Sequence, residues 1–280
     1  MEKLMIYGGS GFIGSNFIRR YPDICEQLPR EALCSTGGKD ALYFRSTTDN
    51  YNVFTDLQID IDVNLKRLME VLPRVNGKFT FISSWFCYGN GYDRPENAAS
   101  EKSHCAPKGM YSITKYCAEQ MIQSYCDTFN KNYRIIRLCN VIGGDGGANK
   151  KKNATEYLIS KILRNEDIEI YDGDNYRNYL HVDDVCDAIA LIVDKGDLNT
   201  IYNVGSAHSY RLIDLMEYVI QKTGSTSKIK LVKTPRFHEI VQTKDFFMNT
   251  NKVRGLGFVQ KYDIWQTLDK IINRIKNEKQ

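Results

Sequence analysis

The chain has 280 residues, 42% hydrophobic and 26% charged, with a formal net charge of +4 and a mean hydropathy of −0.43. That length buries a full core without a metal or disulfide staple, and the near balance of charge excludes the basic stripe of a nucleic-acid binder. No apolar run approaches the ~18 residues of a membrane span, and Met1-Glu2-Lys3-Leu4 shows no signal-peptide pattern, so a cytoplasmic location is expected.

The apolar run Leu4-Met5-Ile6-Tyr7 has the composition of a buried parallel strand. It ends in Gly8-Gly9-Ser10-Gly11-Phe12-Ile13-Gly14, and residues 15–20 continue as a helix. A tight turn, a backbone close to a pyrophosphate and a helix packed on a strand each call for a missing Cβ. The helix start adds free N–H groups and the positive end of the dipole. Gly8, Ser10, Gly11, Phe12, Ile13 and Gly14 are therefore the expected dinucleotide contacts.

The only candidate for a second strand is Arg30-Glu31-Ala32-Leu33-Cys34-Ser35, and Ala41-Leu42-Tyr43-Phe44 reads as the third. Strands are expected at 79–82 and 134–138, helices at 62–72 and 110–128. Beyond residue 150 a helix near 154–164 precedes a strand at 168–171. A helix at about 182–193, a strand at 201–204 and a helix at about 212–223 follow, and the polar tail from Lys276 frays. Strands alternating with helices in this way predict an α/β doubly wound parallel sheet. The eight cysteines form no C-x-x-C pair and no zinc spacing with the four histidines, so reduced thiols and no metal site are expected.

Tyr111-Ser112-Ile113-Thr114-Lys115 lies on a predicted helix, where i, i+4 spacing puts the phenol and the ammonium on one face. A nearby ammonium favours phenolate, so such a tyrosine can exchange a proton with a sugar oxygen. Ser83-Ser84 ends a predicted buried strand, at the carboxyl edge where open α/β sheets bind ligands. A serine hydroxyl there can bond the same oxygen.

These motifs in this order resemble the extended short-chain dehydrogenase/reductases of the NAD-dependent epimerase/dehydratase kind, which act mainly on nucleotide-activated sugars. The resemblance rests on Gly8 to Gly14, on Val63-Asn64-Leu65 before a helix, on Ser83-Ser84 with Tyr88-Gly89, and on Tyr111 with Lys115. It extends to Arg137-x-x-Asn140-x-x-Gly143, to Arg177-Asn178-Tyr179-Leu180-His181-Val182-Asp183-Asp184-Val185 and to Leu256-Gly257-Phe258. It implies a Rossmann-type sheet with a smaller C-terminal α/β substrate-binding domain. The dinucleotide part would take 1–140 plus about 178–205, and the substrate part about 141–177 plus 206–275. Tyr111 is then the acid/base at the sugar C4 oxygen, Lys115 lowers its pKa and holds the nicotinamide ribose, and Ser84 orients the sugar oxygen. Asn64 stands behind the cofactor. Asn140, Asn153 and Arg177 would hold the diphosphate and nucleotide, with Arg236 and His238 as a looser second phosphate contact. His181 and Asp183 are expected to cap the helix that starts there. The expected ligands are NAD, with NADP possible, and a nucleotide-diphosphate sugar. A homodimer through the helix 110–128, with Met121, Ile122 and Tyr125 available for its face, is also implied.

Three departures bear on function. Only 26 residues separate Gly14 from Ala41, so the segment between the second and third strands is shortened and no acidic residue ends the candidate second strand. Arg19 and Arg20 are candidates for a 2′-phosphate, and Arg45, in Phe44-Arg45-Ser46-Thr47-Thr48 where the family carries small apolar residues, needs a buried partner such as a cofactor phosphate. Finally, Trp85-Phe86 stands where sugar 4,6-dehydratases carry an acidic pair. That disfavours 4,6-dehydration, which stays as the lesser alternative, and puts first 4-epimerisation, which family frequency favours, and next reduction of a 4-keto sugar. A cofactor- or sugar-binding protein with reduced catalysis is the reading of another class.

Overall fold

A computed structural model describes residues 3–30, 33, 35–48, 50–144, 154–172 and 175–278. Strand β1 (Leu4–Tyr7) is fully buried and leads into α1 (Phe12–Arg20), then β2 (Cys25–Gln27) and β3 (Ala41–Tyr43). The chain continues through short helices α2 (Ile59–Ile61) and α3 (Arg67–Val71), joined by a π-helical turn at Asp62–Lys66. Next come β4 (Phe79–Ser84), α4 (Met110–Thr128) and β5 (Tyr133–Leu138). Strand β6 (Asn140–Ile142), α5 (Ala154–Ile162), β7 (Ile168–Tyr171), β8 (Tyr176–His181) and α6 (Val182–Lys195) follow. The last part holds β9 (Thr200–Val204), β10 (Ser209–Arg211), α7 (Leu212–Thr223) and β11 (Ile229–Val232). Helices α8 (Arg236–Val241), α9 (Asn251–Gly255) and α10 (Ile264–Asn277) complete it.

The main sheet is parallel throughout, in the order β2-β1-β3-β4-β5-β9. The strand order reverses between β1 and β3, and this switch point is where open α/β sheets take their ligands. One face of the sheet buries Ile6, Phe17, Leu42, Ile136, Val185 and Ile189, and the other Tyr7, Tyr43, Phe81, Leu68 and Ile122. Burying one such side chain contributes roughly 1.5–3 kcal/mol. A third core, with Leu158, Ile168, Leu215, Leu268 and Ile272, gathers α5, α7 and α10 beside the β11-β7 pair. A third sheet, β10-β8-β6, carries Arg177 and Asn140. Among the described residues no helix is long and apolar enough to cross a membrane.

The second strand corrects the sequence reading. It lies at Cys25–Gln27, pairing Leu4 with Cys25 and Ile6 with Gln27, and Arg30, Leu33 and Ser35 are not in a strand. Leu28 still donates its N–H to the Ile6 carbonyl at 3.0 Å, but Pro29 has no N–H to continue the ladder. Residues 28–40 then cross directly to β3, with no described helix or strand between. The dimer face is corrected too: Ile122 is fully buried in the chain's own core, and only Met121 and Tyr125 are half-buried.

Candidate active site

The glycine turn leaves β1 with Gly8 at φ +81°, a conformation that favours glycine. A Cβ on Gly8 would stand 2.6 Å from the Arg45 backbone nitrogen, and one on Gly14 would stand 2.5 Å from the Gly8 carbonyl oxygen. Gly11 opens α1 without a side-chain cap, and no acidic residue stands in the first turn. The first N–H groups of the helix are thus presented at the carboxyl end of β1, a cradle for a pyrophosphate. A nicotinamide dinucleotide fits this turn. Arg19 and Arg20 do not reach it. They occupy the last turn of α1, about 12 Å along the axis from its start. There Arg20 pairs with Asp187 and Arg19 donates to Asn16 Oδ1 at 2.5 Å, so the expectation that they serve a 2′-phosphate fails.

Helix α4 turns Tyr111, Lys115 and Glu119 inward along one i, i+4, i+8 stripe. The Tyr111 phenol faces the hydroxyls of Ser84, at the end of β4, and of Ser46, in the segment after β3. Burial pushes the phenol up to about 12, and the two serine hydroxyls pull against that. Ser84 itself is 7% exposed, and its Oγ also accepts from the Phe86 N–H at 3.3 Å. Lys115 Nζ donates to the Ile82 carbonyl at 2.5 Å and lies 4.0 Å from the Phe81 ring centre. Burial brings the ammonium down to about 8. The hydroxyls of Ser84 and Ser46 draw the phenol down against its burial.

Behind this face lies a buried ionic cluster that sequence reasoning missed. Glu119 accepts from Arg137 Nε at 3.0 Å and Nη2 at 2.5 Å, and from the Ser83 hydroxyl. The pair therefore fixes β4, which carries Ser84, against α4, which carries Tyr111. An acidic residue four positions after Lys115 on an inward helix face was its visible signal.

Asn64 sits in the π turn, 2% exposed, and works as a clamp. Its Nδ2 donates to Thr47 Oγ1 at 2.8 Å and Thr114 Oγ1 at 3.0 Å, while its Oδ1 accepts from the Thr47 N–H and the Ser46 hydroxyl. It thereby ties the segment that carries Ser46 to α4. Single π turns inside helices frequently mark functional sites.

On the substrate side, Asn140 Nδ2 donates to the Asn178 carbonyl at 2.9 Å. The Arg177 guanidinium donates to the carbonyls of Tyr176 and Lys244 at 2.9 and 2.8 Å and lies 5.8 Å from the Trp85 ring centre. Asn153 lies outside the described residues. His238 is taken up by a contact across the cleft, its Nε2 2.5 Å from the Tyr51 hydroxyl, with Phe237 packed on Tyr51 and Phe54. His181 caps α6 as expected, its Nδ1 accepting from the Asp183 N–H at 3.1 Å, and burial lowers it to about 4. At positions 85 and 86 the rings of Trp85 and Phe86 stack with centres 4.1 Å apart, so no carboxylate follows Ser84.

A parallel α/β sheet with a glycine turn at its switch point, and a Ser-Tyr-Lys set at its carboxyl edge, defines the extended short-chain dehydrogenase/reductase class. The chain belongs to the NAD dependent epimerase/dehydratase family, whose sequence model matches residues 36–205. It is 24% identical to the low-salt glycan biosynthesis protein Agl12 of Haloferax volcanii, over 96% of this chain and 97% of the relative. It is 31% identical to a dTDP-D-glucose 4,6-dehydratase of Dictyostelium discoideum, over 79% of this chain and 62% of the relative. The fold is that of RMD from Pseudomonas aeruginosa, solved with NADPH, at a TM-score of 0.85 and 18% identity, over 99% of this chain and 100% of the other. The enzymes this chain is similar to include epimerases, 4,6-dehydratases and reductases. The family match begins at residue 36, near the end of the shortened stretch before β3.

Proposed function

We propose that this enzyme carries out oxidoreduction at C4 of a nucleotide-diphosphate sugar, and that its reaction is 4-epimerisation. The observation that carries the reading is the Tyr111 phenol facing Ser84 at the sheet edge, with aromatic rings in place of carboxylates after Ser84. Without a base to take the C5 proton, elimination of water across C5–C6 has no agent. Gly8, Ser10, Gly11, Phe12, Ile13 and Gly14 would hold the dinucleotide pyrophosphate, and Lys115 and Tyr111 would face its nicotinamide ribose, with Asn64 keeping their wall in place. Bound there, the nicotinamide supplies the hydride exchange at C4. Ser84 orients the sugar oxygen, and Tyr111 accepts its proton when the alcohol is oxidised and returns it when the ketone is reduced. Asn140, Asn153 and Arg177 would hold the diphosphate and nucleotide, an Arg fork suiting phosphate geometry. A smaller substrate-binding part over about 141–177 and 206–275, and a homodimer through α4, go with this reading.

The second reading is reduction of a 4-keto sugar. Gln27 at the end of β2, where an acidic residue would serve NAD, favours it. Both readings are tested by the redox state of the dinucleotide that copurifies and by incubation with UDP-, dTDP- and GDP-hexoses followed by NMR. Retained oxidised cofactor with inversion at C4 supports the epimerase; consumption of reduced cofactor by a 4-keto sugar supports the reductase. Undiminished turnover by Tyr111→Phe would overturn both.

A further inference from the structure

We propose that the adenosine end of this cleft selects dinucleotides bearing a ribose 2′-phosphate, and that Arg45 is the residue that receives it. The inference rests on the dinucleotide reading of the glycine turn, and it concerns a part of the cleft remote from Tyr111.

In strand-turn-helix sites a carboxylate at the end of the second strand bonds the ribose hydroxyls, and that charge repels a phosphate; an arginine nearby does the opposite. Here β2 ends at Gln27. Its side chain borders the turn, since a Cβ on Gly9 would stand 3.0 Å from Gln27 Cγ. An amide there can bond a hydroxyl and repels nothing. Glu26, one residue earlier, points to the opposite face of the strand and pairs with Lys39 at 2.7 Å. Among the described residues no carboxylate occupies the ribose end of β2.

Arg45 brings the charge. Its backbone nitrogen is the atom that a Cβ on Gly8 would strike, so its side chain starts directly over the glycine turn. Its Nη2 donates to the Arg30 carbonyl, just past β2. The guanidinium therefore runs from the end of β3 across β1 toward the end of β2, along the crevice of the switch point. Its Nη1 is buried and has no hydrogen-bond partner. A buried donor left unmade is costly, and a phosphate oxygen is the acceptor an arginine fork fits best. Arg30, exposed beside it, adds a second positive charge at the same edge. Arg19 and Arg20 offer no competing site, being held at the far end of α1.

The test uses the full chain and needs no sugar substrate. NADPH and NADH are titrated by calorimetry and by nicotinamide fluorescence, with 2′,5′-ADP and 5′-AMP as fragments in a thermal-shift series. NADPH is expected to bind at least tenfold tighter than NADH, and 2′,5′-ADP to raise the melting temperature more than 5′-AMP. Arg45→Ala should weaken NADPH roughly 10- to 100-fold, the range of one charge-assisted contact, and leave NADH within threefold. Gln27→Glu, a surface change safe for folding, should turn the preference toward NADH. Tighter NADH binding by the unaltered protein would overturn the proposal, as would equal weakening of both dinucleotides by Arg45→Ala or no response to Gln27→Glu. Failure of either dinucleotide to bind would instead overturn the cofactor reading beneath it.

Discussion

At the nicotinamide end of the cleft, three separate elements contribute to one face: β4 with Ser84, α4 with Tyr111 and the segment after β3 with Ser46, and both serine hydroxyls act on the Tyr111 phenol. Each is backed by buried bonds, through Glu119 and Arg137 on one side and Asn64 on the other. At the adenosine end, residues 28–40 join β2 to β3 with no described helix or strand, β2 is three residues long, and the ribose edge offers an amide and an unsatisfied guanidinium. The difference teaches which constraint acts where. Proton transfer demands atoms held to a fraction of an ångström, so that end is rigidly tied. Binding a ribose and a phosphate demands mainly charge of the right sign, which on the proposal above a single arginine supplies.

The contrast breaks most readily at Tyr111. Tyr111→Phe should lower turnover roughly 10²- to 10⁴-fold, the share typical of a positioned proton donor. Dinucleotide affinity should change far less, because the pyrophosphate cradle and the adenosine edge lie elsewhere. Steady-state kinetics together with a dinucleotide titration checks this. Loss of binding in step with turnover would mean that the two ends are not independent.

A nearly equal effect on stability is expected from the ionic cluster. Arg137→Met leaves Glu119 as a fully buried, uncompensated carboxylate and should destabilise the fold by about 3–5 kcal/mol. The double change Glu119→Gln with Arg137→Met should recover much of that loss, since the price of the buried charge goes with it. Denaturant unfolding of the two variants decides it. Equal losses would show that the cluster acts through shape, not charge.

The same contrast explains what was legible in the sequence. The glycine turn, Ser84 and the Tyr111–Lys115 stripe were readable because each is local: a turn needing missing Cβ atoms, a strand end, a helical i, i+4 pair. Ser46, Glu119 and Asn64 act through contacts between residues 17 to 50 positions apart, and only the packed sheet brings them together. The second strand is not legible because three residues carry no period-two signal, and Pro29 ends it before one can build up. Arg19 and Arg20 misled in the opposite way. They follow the glycine turn closely in sequence, but two helical turns carry them away from it, while Arg45, distant in sequence, lies directly above it.

Lys115 gives the finest test, because its effect is a dependence on pH and not a simple loss. Its folded-state pKa is lowered by burial to about 8, against ~10.4 for a lysine in the unfolded chain. Between these values the unfolded chain holds a proton that the folded chain has released, so stability rises with pH across that window. Below about 8 the buried ammonium carries its full cost, on the order of 2–3 kcal/mol. Lys115→Met removes that cost and leaves the Ile82 carbonyl without its donor, a loss that does not vary with pH. The variant should therefore gain most, relative to the unaltered protein, near pH 7, and the gap should shift in favour of the unaltered protein by pH 10. Urea unfolding of both proteins at pH 7, 8.5 and 10 measures it, and the tyrosines that titrate in the same range cancel in the difference. A gap independent of pH would mean that the ammonium is already satisfied by the Ile82 carbonyl and the Phe81 ring. The rigid end of the cleft would then hold a fully charged lysine beside Tyr111 throughout the physiological range.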